Sequence, residues 1–168
     1  MAAITDLSSA SSVNAADYLV LSQSGTDKKV TADKFAVLTS GTFTPGLAFG
    51  GNGVGMTFSS RSGTYVKAGK IVVVSFDIRL SAKGSSTGAA TITGLPITAG
   101  SAIPDAIGNI AWYQLGANFV HILLAVAAGA TSGLLVGYSA AAASYASLTD
   151  ASFANNSILQ GTIVYQSA

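Results

Sequence analysis

The chain has no cysteine and no glutamate, and charged residues make up only 9% of its 168 residues. Without cysteine it forms neither disulfides nor cysteine-ligated metal centres. Its net charge of +1 gives no basic surface of the kind that binds nucleic acids or anionic membranes. We therefore expect no nucleic-acid partner and no chemistry that depends on thiols.

Segments that would enter a membrane are also missing. The first residues, Met1-Ala-Ala-Ile-Thr-Asp, lack the basic start and the long apolar stretch of a secretory signal. The most apolar run, residues 119–130, is interrupted by His121 and is shorter than a helix that crosses a bilayer. The sequence thus predicts neither a signal peptide nor membrane insertion.

The low charge has a consequence for assembly. A single copy with so few charged side chains would expose much apolar or weakly polar surface, and such surface usually marks contact with other chains. We therefore expect an oligomer.

Composition and turn signals divide the chain at about residue 40. Residues 17–23 and 28–31 are predicted strands around a turn, and Thr31 is predicted to cap a short helix over residues 32–38. A single hairpin is marginal in water, so residues 1–40 should need neighbouring copies or another protein to fold against.

The rest of the chain, residues 41–168, is predicted to be all-β. Turn signals recur about every eight to twelve residues, which is typical of antiparallel β-sandwiches and barrels. In the clearest strand, residues 71–80, an apolar face alternates with a polar face that carries Asp77 and Arg79, so these two could pair with each other or across an interface. Further strands are predicted at residues 55–60, 63–67, 89–93, 107–115, 119–127, 133–139 and 158–166. We predict a jelly-roll-like antiparallel β-sandwich, with residues 140–144 as a loop or edge strand.

Four features of residues 50–96 follow one another: Tyr65-Val-Lys-Ala-Gly, the alternating strand, the loop Lys83-Gly-Ser-Ser-Thr-Gly, and the exit Gly94-Leu-Pro. In this combination the stretch resembles the distal β-domains of fibre and tail-appendage proteins of tailed bacteriophages. The hairpin pattern of residues 1–40 is similar to the virion-proximal segment of that family.

The resemblance implies a homotrimeric structural protein of the virion, assembled in the bacterial host cytoplasm. It would be a tail fibre or tail-tip protein in host-surface attachment, with residues 1–40 as a virion-attachment or trimer-clasp segment that contacts other virion proteins. A head fibre or capsid decoration knob is the alternative within the same class. A free-standing carbohydrate-binding module is the alternative from another class.

The predicted strand at residues 119–127 is apolar on both faces. An antiparallel strand normally keeps one face in water, so we expect its second face at a subunit interface near a three-fold axis. The residues expected at this trimer interface are Phe119, His121, Ile122 and Leu123. His121, the only histidine, is interpreted as a hydrogen-bonded core or interface residue, with ligand contact as the alternative.

The sequence contains no pattern that indicates catalysis. Residues 51–55 and 63–70 lack the spacing of nucleotide-binding and phosphate-binding loops, and no serine lies in a nucleophile elbow. The seven aspartates are scattered. We predict no catalytic residue, no metal site, no cofactor and no enzymatic activity.

Aromatic rings are the candidates for ligand binding. Trp112 and Tyr113 are adjacent on a predicted strand and so should face opposite sides. Tyr138 and Tyr145 flank the alanine-rich residues 140–144. We predict that these four rings contact a host-surface glycan or protein, with filling of the core or interface as the alternative. The small polar loop at residues 83–88 is the rival site.

Overall fold

The computed structural model of the protein describes residues 18–23, 26–31, 38–101, 105–139 and 144–168. Residues 1–37 and residues 38–168 form two compact units. The predicted segment 1–40 therefore extends three residues into the second unit, because the first strand of that unit begins at Leu38.

The first unit contains the predicted hairpin. Strands β1 (Tyr18–Gln23) and β2 (Thr26–Thr31) pair antiparallel, with Gln23 opposite Thr26. Residues 32–37 of the predicted helix lie outside the described residues. Leu38, its predicted last residue, lies instead in a strand.

The second unit is all-β and antiparallel, as predicted. Its strands are β3 (Leu38–Phe43), β4 (Gly46–Phe49), β5 (Thr57–Ala68), β6 (Ile71–Ala82), β7 (Ala90–Thr93), β8 (Asp105–Tyr113), β9 (His121–Ala127), β10 (Ser132–Tyr138), β11 (Ala146–Ser147) and β12 (Ile158–Gln166). They join one sheet in the order β3-β5-β6-β12-β8-β9-β10-β7-β4, and β11 pairs with β10. The described strands of this unit thus form one continuous sheet where the strand spacing suggested two facing sheets.

The sheet curls, because the strands at its two ends are consecutive in the chain. Only Thr44 and Pro45 separate β3 from β4, and a link of this length spans about 11 Å at most. The two ends of the sheet therefore come close together at this link, and the sheet forms a half-barrel around one apolar core.

The core is built from the inward faces of the strands. In β6, the five inward side chains expose 5% or less of their surface, which confirms the predicted alternation; these are Val72, Val74, Phe76, Ile78 and Leu80. In β9, Ile122, Leu124 and Val126 are fully buried in the same core. Each strand contributes every second residue, because successive side chains of a strand point to opposite faces.

The strands at 55–60 and 63–67 were predicted separately but are one twelve-residue strand, β5. The prediction left residues 61–62 outside both strands, whereas β5 continues through them, with an irregular register near Ser59. Strands β7 to β10 start and end within one or two residues of the predicted limits, and β12 spans the predicted residues. Residues 140–143 of the predicted loop or edge strand lie outside the described residues.

No helix in the described part of the chain has the length and apolar character that crossing a bilayer requires. The only helical element among the described residues is a short 3-10 turn at Asp150–Ser152.

Candidate functional site

The outward face of the central strands carries a row of polar side chains. Strand pairing places Gln160 beside Asp77, and Thr162 beside both Ser75 and Asn109. Paired residues of antiparallel strands point to the same side of a sheet, so these side chains form one surface. We call this surface the polar strip; its members are Ser75, Asp77, Asn109, His121, Tyr138, Gln160 and Thr162.

One end of the polar strip is organised by the carboxylate of Asp77. The Nε of Arg79 donates to Asp77 Oδ2 at 3.0 Å, and the Nε2 of Gln160 donates to Asp77 Oδ1 at 2.7 Å. Asp77 and Arg79 therefore pair within the chain, one of the two arrangements that the sequence left open. Burial alone would raise the pKa of Asp77, but the hydrogen bonds from Arg79 and Gln160 and the charge of Arg79 outweigh it and lower that pKa.

The lowered pKa of Asp77 predicts how its contribution to stability depends on pH. The stabilisation is fully present above the pKa of an unfolded aspartate, about 3.9, and is lost as the pH falls through the lower pKa of the folded state. In Asp77→Asn, the loss of unfolding free energy relative to the parent should be below about 1 kcal/mol near neutral pH, because solvent screens the pair. This loss should shrink below about pH 4. Urea unfolding at several pH values measures it, and a difference that does not change with pH would contradict the assignment.

A shallow depression of about 560 Å³ lies in the middle of the polar strip. Its lining comprises Ser75, Phe76, Asn109, Ala111, Gln160, Gly161 and Thr162. The small side chain of Ala111, which pairs with Gln160 on the outward face, leaves room beside the longer amide side chains of Asn109 and Gln160. The depression is within the size range of small-molecule sites, and its amides and hydroxyls suit a ligand rich in hydroxyl groups.

The other end of the polar strip is aromatic. His121 Nε2 lies 3.0 Å from Asn109 Oδ1, and the imidazole stacks on the ring of Tyr138 with centroids 6.4 Å apart. Tyr145 meets Tyr138 edge to face at 5.9 Å. Since Asn109 also lines the depression, its hydrogen bond to His121 connects the depression to this group of rings. A flat ring beside fixed amides is an arrangement that sugar rings stack on.

The structure separates the four predicted ligand-binding rings. Trp112 faces inward and packs against the core, whereas Tyr113 faces outward and exposes 56% of its surface, so the two face opposite sides as predicted. Tyr138 and Tyr145 lie together at the aromatic end of the polar strip. Trp112 is therefore only partly accessible, and three of the four predicted rings reach the outward surface.

The residues predicted for a trimer interface lie on different sides of the sheet. Ile122 exposes none of its surface and fills the core of the single chain, so it has no surface to offer to a partner. The half-buried ring of Phe119 packs over Gly137 and against the core. His121 is exposed and Leu123 is half-buried, and both face outward. The second apolar side of this strand is therefore limited to Leu123, Ala125 and Ala127.

The rival site, the loop at residues 83–88, is tied to two other loops. Asp150 Oδ1 accepts from the N–H of Gly88 at 2.9 Å, and Lys83 Nζ donates to the carbonyl oxygen of Asp150 at 3.1 Å. Ser85 N–H donates to the carbonyl oxygen of Val54, and Val54 N–H donates to Ser86 Oγ. These bonds lock the loop against residues 50–55 and leave a depression of about 290 Å³ between the two loops.

Sequence reasoning did not identify Gln160 and Asn109, which line the depression. Each lies at a polar position of an alternating strand, and this alternation is the signal that places them on the outward face. Gln160 and Asn109 lie together because their strands are neighbours in the sheet. The sequence alone does not specify this pairing of strands. Within the described ranges, no three histidine, aspartate or glutamate side chains lie close enough to hold a metal ion.

Comparison with models of known protein families, with curated proteins and with solved structures finds no match to this chain.

Proposed function

We propose that this chain is a structural protein of a tailed-phage virion, a homotrimeric tail fibre or tail-tip protein that attaches to the host surface through the polar strip. The observation that carries the proposal is the depression at Asn109 and Gln160 with rings at one end, set on a rigid sheet. Adhesion is favoured by polar groups that are already held in place, because little freedom is lost on binding.

Within this proposal the ligand is a host-surface glycan. The amide oxygen of Gln160 and the amide nitrogen of Asn109 make no hydrogen bond within the described residues, so an acceptor and a donor face the depression. Sugar hydroxyls both donate and accept, and the Tyr138 ring offers a stacking surface beside them. The resemblance of residues 50–96 to distal phage β-domains supports the same function. Residues 1–40 contact other virion proteins or clasp the trimer.

The test is binding of the labelled protein to a panel of bacterial cells and to an array of bacterial surface oligosaccharides. Gln160→Ala and Tyr138→Ala should each weaken binding about tenfold, the loss expected when one contact worth about 1.4 kcal/mol is removed. Gln166→Ala is the matched control, since it removes the same side chain from the same strand outside the polar strip. Its binding should equal that of the parent.

Equal binding by the parent, Gln160→Ala and Tyr138→Ala would remove the polar strip from attachment. A large fall in melting temperature for Tyr138→Ala with unchanged binding would make that ring structural, and would move attention to the loop at residues 83–88. Immunogold electron microscopy of intact particles tests the virion assignment. Label on tail fibres or the tail tip supports the proposal, label on the head identifies a head fibre or decoration knob, and unlabelled particles overturn a virion role.

A free-standing carbohydrate-binding module is the second candidate. The observation in its favour is that one chain supplies every member of the polar strip, so sugar binding would not require a trimer. This candidate predicts a protein that binds sugar as a monomer, which sedimentation in the presence and absence of ligand distinguishes from the trimer.

A further inference from the structure

The outward face of the sheet has a second region, and this one is apolar. Six large apolar side chains there keep between 38% and 70% of their surface exposed. We call them the apolar band; its members are Leu38, Val66, Ile71, Val73, Ile107 and Val164. None of them is ionisable or forms a hydrogen bond through its side chain, so the band loses no polar hydration when it is covered.

The apolar band extends across the sheet from β3 to β8. Strand pairing places Val73 between Val66 on β5 and Val164 on β12. Val164 and Ile107 line one cleft, which carries the band across to β8. Ile107 in turn pairs with Ala125 on β9. β-branched side chains pack well on the pleated surface of a sheet, and apolar sheet faces are commonly buried against another chain or sheet.

The cleft deepens the apolar band at one end. It has a volume of about 340 Å³ and is lined by Ile71, Ile107 and Val164 of the band together with small residues such as Ala99 and Ala106. Asp105 lies in its lining, and Lys70 directly precedes Ile71 in the chain. Neither of these two charged side chains forms an ion pair within the described part of the chain. Opposite charges thus flank the same end of an uncharged surface.

We propose that the apolar band is the surface through which copies of this chain pack against one another. Its exposed side chains amount to roughly 500 Å², a large part of the ~800 Å² that each partner buries in a stable interface. Half-buried outward neighbours such as Ala125 and Leu134 add to it. The flanking charges favour a second copy as the occupant, because Lys70 of one copy then faces Asp105 of another. This inference deepens the proposed trimer and rests on it.

The inference places the subunit contact mainly on β5, β6, β12 and β8, whereas the sequence suggested residues 119–126. It also leaves the polar strip outside the contact. The strip lies on the same outward face as the band, but at a different position along β6, β8 and β12. Assembly and ligand binding therefore use separate parts of one face.

The first experiment compares charged variants by sedimentation velocity at micromolar concentration. Val66→Lys and Val164→Lys, singly and together, should raise the dissociation constant of the assembly at least a hundredfold. Val54→Lys and Val120→Lys are the matched controls, because these valines are 65% and 62% exposed and lie outside the band. The controls should sediment like the parent, and circular dichroism checks that every variant keeps its β-structure.

The second experiment uses the absence of cysteine in the parent chain. A single cysteine introduced by Val73→Cys or Val164→Cys should be joined between copies by a short bismaleimide, and one introduced by Val120→Cys should not. This readout does not depend on a charged side chain being tolerated in the sheet. A cross-linked species of two chains from the band positions supports the inference, because each chain carries one thiol and each reagent molecule joins two thiols.

A parent chain that sediments as a monomer would overturn both the trimer and the interface. Assembly that persists unchanged in Val66→Lys with Val164→Lys, or equal cross-linking from Val120→Cys, would overturn the band while leaving the trimer in place. Binding to cells and oligosaccharides is measured separately, so failure of the attachment proposal is distinguishable from failure of this one.

Discussion

Gly84→Ala is expected to lower the free energy of unfolding by about 3–5 kcal/mol, since it combines left-handed backbone strain with overpacking. Gly84 has a φ of +76°, which side-chain-bearing residues rarely adopt. A Cβ at this position would also strike the carbonyl oxygen of Val54 and would lie 2.6 Å from the backbone nitrogen of Met56. The same carbonyl accepts the N–H of Ser85, so the two loops would have to separate.

Gly51→Ala is the matched control for this prediction. Gly51 has a φ of +83°, but a Cβ there would meet nothing within 4 Å. It should therefore cost only the backbone term, about 1–2 kcal/mol. Urea unfolding of the two variants at one protein concentration measures the difference. Equal losses for Gly84→Ala and Gly51→Ala would show that the close approach of the two loops does not contribute to stability.

Ile122→Ala is expected to destabilise the protein by about 2–5 kcal/mol, the range found when a buried aliphatic side chain is truncated. Ile122 exposes none of its surface, and the cavity that alanine leaves would lie between strands that neighbour β9 on both sides. The neighbouring Leu123 faces outward and is only half-buried, so Leu123→Ala should cost about 1 kcal/mol or less. Thermal and urea unfolding at one protein concentration compare the two.

The oligomeric states of the Ile122→Ala and Leu123→Ala variants distinguish a loss of packing within one chain from a loss of packing between chains. Ile122→Ala should sediment like the parent after correction for any unfolded fraction. If Leu123→Ala were the more destabilising variant, the inward and outward faces of β9 would be exchanged relative to this structure. Concentration must be held constant, because assembly stabilises the folded state by mass action.

Alternation within single strands could be predicted from the sequence. The inward set of β6, from Val72 to Leu80, is visible as a period of two, and so is the shared outward side of Asp77 and Arg79. The pairing of β1 with β2 could also be predicted, because the two strands are close together in the chain. These features depend on residues that are close in the chain, where local geometry dominates.

Features that depend on distant pairing could not be predicted. The polar strip exists because β12 lies between β6 and β8, which brings Gln160 to Asp77 across 83 positions of sequence. Strand β4 was missed because its four residues carry no alternating pattern. Strand β3 was missed because its polar residues are typical of a loop. The curl of the sheet follows from which strands form its ends, and local sequence does not specify that.

The place of β12 in the sheet also has a consequence for how the protein is made. Every other strand of the sheet precedes β12 in the chain, yet β12 joins the two halves of the sheet through its pairing with β6 and β8. While the ribosome is still synthesising residues 158–166, β6 and β8 each have one edge without a partner, and such edges attract other chains. The sheet therefore closes only after these residues have left the ribosome. Where several ribosomes translate one message, neighbouring nascent chains therefore carry unpaired edges of β6 and β8 at the same time.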